Sequence, residues 1–169
     1  MTRNRTIGLV IAGLIIAVDQ FVKWLMVGPL QLESRGLQGI ELIPFFKLTY
    51  AENWGVSMGM LTANSDTQRW LLVALTGVIT AIVAGWMWRE DKKWDVIALS
   101  MILGGATGNL IDRIRLGFVV DYADLHIGDF RPFFIFNFAD MMITFGVIIL
   151  IIRAFLLRDD KEPASEGAN

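Results

Sequence analysis

The sequence predicts an all-α membrane protein that crosses the bilayer four times, and two observations carry that prediction. First, 54% of the 169 residues are hydrophobic with glycine left out, whereas soluble domains reach only about 45–50% with glycine counted. The mean hydropathy of +0.53 agrees. Second, the apolar residues gather into four stretches, each close to the roughly 20 residues that a spanning helix needs.

The predicted spans cover about residues 6–27, 70–88, 96–111 and 136–157. The second is the cleanest, because it is free of charge and lies between Arg69 and Arg89. The first begins like a signal peptide, with Arg3 and Arg5 ahead of an apolar run, but no small-residue cleavage site follows it. We therefore expect this segment to be retained as a span.

Basic residues near the span ends predict the orientation. An even number of spans puts both termini on one side, which collects Arg3, Arg5, Arg89, Lys92, Lys93, Arg153, Arg158 and Lys161. The basic residues of the other side are spread over two longer loops. We expect cytoplasmic termini, a single membrane-embedded domain and a disordered polar tail over residues 159–169.

Composition excludes several classes of protein. A net charge of −2 gives no reason to expect a nucleic-acid partner, and the lack of cysteine excludes disulfides and a thiol nucleophile. The one histidine, His126, is predicted to be an interfacial loop residue rather than a metal ligand. The first outer loop connects the first and second predicted spans. In it, β-branched and aromatic residues around Pro44 predict short strands within Ile40–Tyr50.

Charged residues in the first predicted span call for explanation, since a charge at the bilayer centre costs about 2.5–3.5 kcal/mol on insertion scales. Asp19 and Lys23 are four residues apart and share a helix face. A structural ion pair and a direct role in a site are both open.

The third predicted span ends in polar residues. Its small residues Gly104, Gly105, Ala106 and Gly108 permit close helix packing. Asn109 shares a face with Asp112 and Arg113. An interfacial Asp–Arg pair would explain the two charges but not Asn109, because a buried amide needs hydrogen-bond partners.

Two acids are of interest near the fourth predicted span: Asp140 lies just inside its start, and Asp121 lies in the loop before it. Asn137 is a good helix N-cap and Asp140 suits the positive end of the helix dipole. Capping explains Asn137 better than Asp140, which an uncharged run follows. Asp121, taken alone, is an ordinary loop acid. Asp121 becomes a candidate because the second outer loop, between the third and fourth predicted spans, must bring it back towards Asp140.

Five blocks of residues occur in order along these spans. They are Asp19 with Lys23, Asn53-x-Gly55, Gly104-Gly105-x-x-Gly108-Asn109-x-x-Asp112-Arg113, Gly117-x-Val119-Val120-Asp121, and Phe136-Asn137-x-Ala139-Asp140. Together they resemble the bacterial lipoprotein signal peptidases (signal peptidase II). One departure is Val56-Ser57-Met58-Gly59, where the family commonly has Ala-Ala-Phe-Ser. We therefore expect a differently shaped pocket in this loop. Ser57 has no histidine or lysine partner nearby in sequence that would make it a nucleophile.

The resemblance implies an inner-membrane protein of four transmembrane helices with a small periplasmic β cradle in the first outer loop. It implies aspartic endopeptidase cleavage of diacylglyceryl-modified prolipoproteins just before the lipidated cysteine, without a cofactor, and inhibition by globomycin. It assigns Asp121 and Asp140 as the catalytic dyad. The residues implied to line or support the site are Asn53, Gly55, Asn109, Arg113, Asn137, Asp19 and Asp112. Membrane lipids are the other expected partners, and we expect a monomer.

Two close carboxylates cannot both ionise cheaply, so a pair can share one proton and hold a water between them. Two alternatives remain open. The intramembrane acids could serve a proton- or ion-coupled transporter. Alternatively, Asp112, Asp121, Asp124 and Asp140 could bind a metal ion through their carboxylates.

Overall fold

The computed structural model describes residues 3–56, 61–62, 66–128 and 130–159. Ser57–Gly59 and most of the predicted tail therefore lie outside the described residues. The helices are α1 (Arg3–Val27), short α2 (Leu32–Arg35), α3 (Asp66–Arg89), α4 (Lys93–Arg115) and α5 (Phe138–Asp159), with a 3-10 turn at Gly36–Gln38. Among the described residues, four helices are long and apolar enough to span a membrane: α1, α3, α4 and α5. The predicted fold class is confirmed.

The helix ends differ from the predicted spans. Helix α4 continues for one turn beyond Ile111 to Arg115, because Asp112 finds partners inside the protein and does not have to leave the helix for water. Helix α5 begins at Phe138 and not at Phe136, because Asn137 caps it. Charged residues thus mark where an apolar stretch of the sequence ends. The helix itself ends where its backbone hydrogen bonds and caps end it.

Strands β1 (Ile40–Ile43), β2 (Phe46–Asn53) and β5 (Val119–Leu125) form an antiparallel sheet in the order β1-β2-β5. Strands β3 (Gly55–Val56) and β4 (Leu61–Thr62) form a separate two-stranded pair. The prediction of short strands within Ile40–Tyr50 is confirmed. The expectation that Asp121 is a loop residue was wrong, because it lies in β5 opposite Ala51. Its backbone is fixed by that pairing.

Helix α4 is the central helix, since each of the other three spanning helices makes its most extensive interhelical contacts with it. Its glycines allow these contacts. A methyl group added at Gly104 would lie 2.8 Å from Ile15 in α1, and one added at Gly105 would overlap the backbone of Ala139 in α5. The predicted role of the small residues in close packing is confirmed.

The sheet lies at one end of the helix bundle, which we call the sheet end. Met26 near the end of α1 packs with Leu48 of β2 and Tyr122 of β5. Helix α4 ends there at a turn through Gly117, whose φ of +91° suits glycine. The guanidinium of Arg69 donates to the last carbonyls of α4, including that of Ile114 at 2.7 Å. The turn leads directly into β5 and towards Asp121.

Candidate active site

Asp140 is held by the first turn of α5. The side-chain oxygen of Asn137 accepts the backbone N–H of Asp140 at 3.0 Å. In return, Oδ2 of Asp140 accepts the backbone N–H of Asn137 at 3.1 Å. This is the reciprocal arrangement of a capping box. The carboxylate of Asp140 is consequently fixed in direction while remaining half-buried.

Asp121 approaches from the sheet and is 3% exposed. Its Oδ1 accepts the side-chain N–H of Asn137 at 2.7 Å, and its Oδ2 accepts that of Asn53 at 3.1 Å. Asn53 is oriented in turn by the backbone N–H of Gly55, which donates to its side-chain oxygen at 3.2 Å. This local contact fixes the junction of β2 and β3, which holds the Asn53 side chain against Asp121.

Asn109 joins the central helix to this pair. Its Nδ2 donates to Oδ1 of Asp140 at 2.8 Å. Its Oδ1 accepts from Nδ2 of Asn137 at 3.1 Å and from Nζ of Lys23 at 3.0 Å. The buried amide therefore has the partners that an interfacial Asp–Arg pair could not supply. Asn109 and Asn137 together connect Asp140 with Asp121.

A second charged cluster lies behind the pair of acids. Lys23 contacts Asp19 at 2.9 Å and Asp112 at 2.7 Å. All three side chains are buried. The ion pair predicted between Asp19 and Lys23 exists, and the structure adds Asp112 to it.

Each acid of this cluster also accepts a backbone N–H next to a candidate catalytic residue. Asp112 accepts from Val120, which precedes Asp121, at 3.3 Å. Asp19 accepts from Ala139, which precedes Asp140, at 3.2 Å.

Sequence reasoning missed Gln20. Its Nε2 donates to Asp112 at 3.0 Å and to Asp19 at 3.2 Å, so it is a second link between the two acids that Lys23 joins. The available clue was a polar amide next to Asp19 inside a predicted span. The link from Lys23 to Asp112 and Asn109 could not be read from sequence, because it depends on which face of α1 meets α4.

Burial and charge act on Asp121 in the same direction. Burial, the larger cause, and the nearby carboxylate of Asp140 together raise the pKa of Asp121 to about 7, against the lowering effect of the Asn53 and Asn137 hydrogen bonds and of Lys23. Arg113 interacts electrostatically with Asp140, Asp121 and Asp112. Its Nε is buried and has no hydrogen-bond partner in the described part of the chain. An oxygen of a bound substrate could accept a hydrogen bond from this N–H group.

An apolar cavity of about 400 Å³ borders Asp140. Its other lining residues include Leu125, Phe133, Phe134, Phe136, Met141 and Phe145. The half-buried carboxylate therefore has apolar surface beside it.

Two of the four acids of the metal-site alternative are engaged elsewhere. Asp124 accepts from Thr49 at 3.2 Å and pairs with Arg131 at 3.0 Å, while Asp112 pairs with Lys23. Within the described ranges, no three acidic or histidine side chains gather in a group that could hold a metal ion. His126 lies in the loop after β5, with Nδ1 3.4 Å from the carbonyl oxygen of Asp124.

Comparisons with known proteins identify the family of this chain. The family described as Signal peptidase (SPase) II matches residues 11–156. A lipoprotein signal peptidase of Rhizorhabdus wittichii is 52% identical over 161 residues, which is 95% of this chain and 92% of the relative. One of Sphingopyxis alaskensis is 57% identical over 150 residues, 89% and 86% of the two chains.

Two solved bacterial membrane enzymes share the fold. One superposes with a TM-score of 0.76 at 28% identity, covering 97% of this chain and 95% of the other. The second has a TM-score of 0.74 at 29% identity, covering 88% and 92%. With the family match over most of its length, this multi-pass membrane chain belongs to the signal peptidase II family.

Proposed function

We propose that the chain is an aspartic endopeptidase that removes the signal peptide of diacylglyceryl-modified prolipoproteins just before the lipidated cysteine. The observation that carries the proposal is the shared hydrogen bonding of Asp121 and Asp140 through Asn137. It brings two carboxylates from different elements into one site, as shared-proton chemistry requires. The name of the relatives, lipoprotein signal peptidase, supports the substrate class.

The reaction proceeds by attack of water on the scissile carbonyl. The ionised member of the pair takes a proton from the water as its oxygen bonds to the carbonyl carbon. The neutral member gives its proton to the carbonyl oxygen. Proton transfer to the amide nitrogen then accompanies cleavage of the C–N bond, which releases a carboxylic acid and an amine. The apparent pKa values of this cycle belong to the pair of acids together.

Neighbouring residues bind and orient the substrate. Arg113 offers to a peptide carbonyl its Nε, which has no partner among the described residues, and this contact compensates the cost of burying that donor. Asn53 and Asn137 hold Asp121 in place by hydrogen bonds. The apolar cavity beside Asp140 gives the lipid-bearing substrate an apolar surface near the scissile bond.

Placement in the membrane follows from the same proposal. A diacylglyceryl group sits in one leaflet, so the peptide bond beside it lies close to the membrane surface. We place the sheet end at the periplasmic face of the inner membrane and both termini in the cytoplasm. The density of basic residues near the other helix ends supports this orientation. We further propose that the enzyme acts as a monomer and is inhibited by globomycin.

The test uses purified full-length chain and a synthetic prolipoprotein carrying a diacylglyceryl cysteine. The control is the same precursor with an unmodified cysteine. Mass spectrometry of the products in H₂¹⁸O should show one cut before the lipidated cysteine and one ¹⁸O in the new carboxylate. Cleavage of both precursors at equal rates would contradict the substrate class. Proton flux in liposomes without any peptide cleavage would favour the transporter alternative.

A further inference from the structure

Lys23 uses every donor of its ammonium group inside the protein. A lysine ammonium has three N–H donors and no acceptor. Here its Nζ lies 2.9 Å from Asp19, 2.7 Å from Asp112 and 3.0 Å from the side-chain oxygen of Asn109. The side chain is only 5% exposed. A buried lysine with three oxygen partners has one defined position.

Each of the three partners leads to a different part of the candidate active site. Asp19 accepts the N–H of Ala139, and Asp112 accepts the N–H of Val120. Asn109 donates directly to the carboxylate of Asp140. One cation thus contacts, through a single intermediate residue, the backbone before Asp140, the backbone before Asp121, and the Asp140 carboxylate itself.

The contact with Asn109 also determines which way its amide faces. The oxygen of the Asn109 amide receives N–H donors from Lys23 and Asn137. A flipped amide would turn its NH₂ group towards those two donors and its oxygen towards the carboxylate of Asp140. Both contacts would be repulsive, so the Lys23 donor holds the NH₂ group on Asp140.

We propose that Lys23 is a positioning residue that sets the relative placement of the Asp121 and Asp140 carboxylates through Asp19, Asp112 and Asn109. This inference rests on the proposed peptidase function. A lysine that only neutralised two buried acids would support folding, and its loss would leave the turnover of the folded protein unchanged. A positioning lysine must affect kcat, because small displacements of reacting groups slow the chemical step.

The first experiment measures kcat and KM of Lys23→Met in full-length protein, with thermal unfolding followed in parallel. We expect kcat to fall by about 10- to 100-fold, with KM changed by less than about threefold, as for loss of an interaction needed in the transition state. Without Lys23, Asp19 and Asp112 lose their cation. If this prevents Lys23→Met from folding, the double variant Lys23→Met/Asp112→Asn is measured instead, because it removes one of the two negative charges. Arg153→Met is the matched control, because Arg153 forms a partly buried pair with Asp95 outside the candidate site. Its kcat should stay within about twofold of wild type.

The second experiment is a double-mutant cycle with Asn109→Leu. Because Lys23 acts partly through Asn109, the loss of kcat in the double variant should be at least about fivefold smaller than the product of the two single losses. A folded Lys23→Met with a kcat within about twofold of wild type overturns the inference. So do single losses that simply multiply in the double variant. If the wild-type chain does not cleave the lipidated precursor, the proposed function fails and this inference fails with it. Wild-type cleavage with unaffected Lys23→Met overturns this inference alone.

Discussion

Asn137 donates its side-chain N–H to Asp121 across 2.7 Å, and it does so from the N-cap position of the helix that carries Asp140. One asparagine therefore caps α5 and also contacts both candidate acids. Helix capping and membership of the site, which are separate explanations of Asn137 at the level of sequence, are both realised.

The double role of Asn137 predicts that stability and activity can be separated. Asn137→Ser retains a side-chain oxygen for capping but cannot supply the N–H donors to Asp121 and Asn109. Asn137→Ala loses the cap as well, which typically costs about 0.5–2 kcal/mol. We expect the serine variant to unfold at a higher temperature than the alanine variant, while both lose at least about tenfold in kcat. Equal stability of the two variants would contradict the capping role, and full activity of either would contradict the site role.

The pH dependence of cleavage should report on the pair of acids, to which Asp121 contributes a raised pKa. Its pKa is raised to about 7 by burial and by the charge of Asp140. As the pH rises above about 7 the shared proton is lost, so kcat should fall on the alkaline side. The hydrogen bond from Asn53 lowers the pKa of Asp121. Asn53→Ala should therefore move this alkaline limb to higher pH.

The control for the pH experiment is Asn4→Ala. Asn4 donates to the backbone of Asp91 in an exposed contact away from the candidate site. The alkaline limb of the Asn4→Ala pH profile should therefore coincide with that of the wild type. An Asn53→Ala profile that moves to lower pH would show that the hydrogen bond does not favour the charged form of Asp121.

The same raised pKa has a consequence for stability. Asp121 has an ordinary pKa of 3.8 when unfolded and about 7 when folded, so between these values the folded state binds more protons than the unfolded state. The free energy of unfolding therefore falls as the pH rises through that window, because the folded protein must give up a proton that it binds more tightly than the unfolded chain does. Asp121→Asn should make the decline in melting temperature between those pH values shallower. An unchanged slope in that variant would count against the raised pKa.

Close contact between α4 and α5 at Gly105 should be needed for both folding and activity. A Cβ at Gly105 would overlap the carbonyl oxygen of Ala139 and lie 2.8 Å from Ile143. Gly105→Ala should therefore lower stability by about 1–3 kcal/mol and, by displacing the start of α5, reduce kcat. Gly77→Ala is the control, because nothing lies within 4 Å of its added Cβ. That variant should be at least as stable as wild type, since alanine favours a helix interior over glycine. A Gly105→Ala protein that behaves like Gly77→Ala would contradict this packing.

Much of this arrangement could be predicted from the sequence because hydropathy and helical spacing are local properties. The four spans and the shared face of Asn109 with Asp112 follow from neighbours in the chain. Strand β5 could not be predicted, because acids interrupt its apolar pattern and its stability comes from pairing with β2. The contacts of Lys23 with Asp112 and Asn109 depend on how α1 rotates against α4, which no short stretch of sequence encodes.

The proposed cleavage chemistry depends most directly on the pairing of Asp121 with Asp140. The decisive measurement is the cleavage rate of purified Asp121→Asn and Asp140→Asn proteins on the lipidated precursor, alongside their thermal unfolding. Because neither variant retains two carboxylates to share a proton, each should fold and lose at least about 1,000-fold in kcat. A folded variant of either kind that cleaves at the wild-type rate would contradict the assignment of the pair.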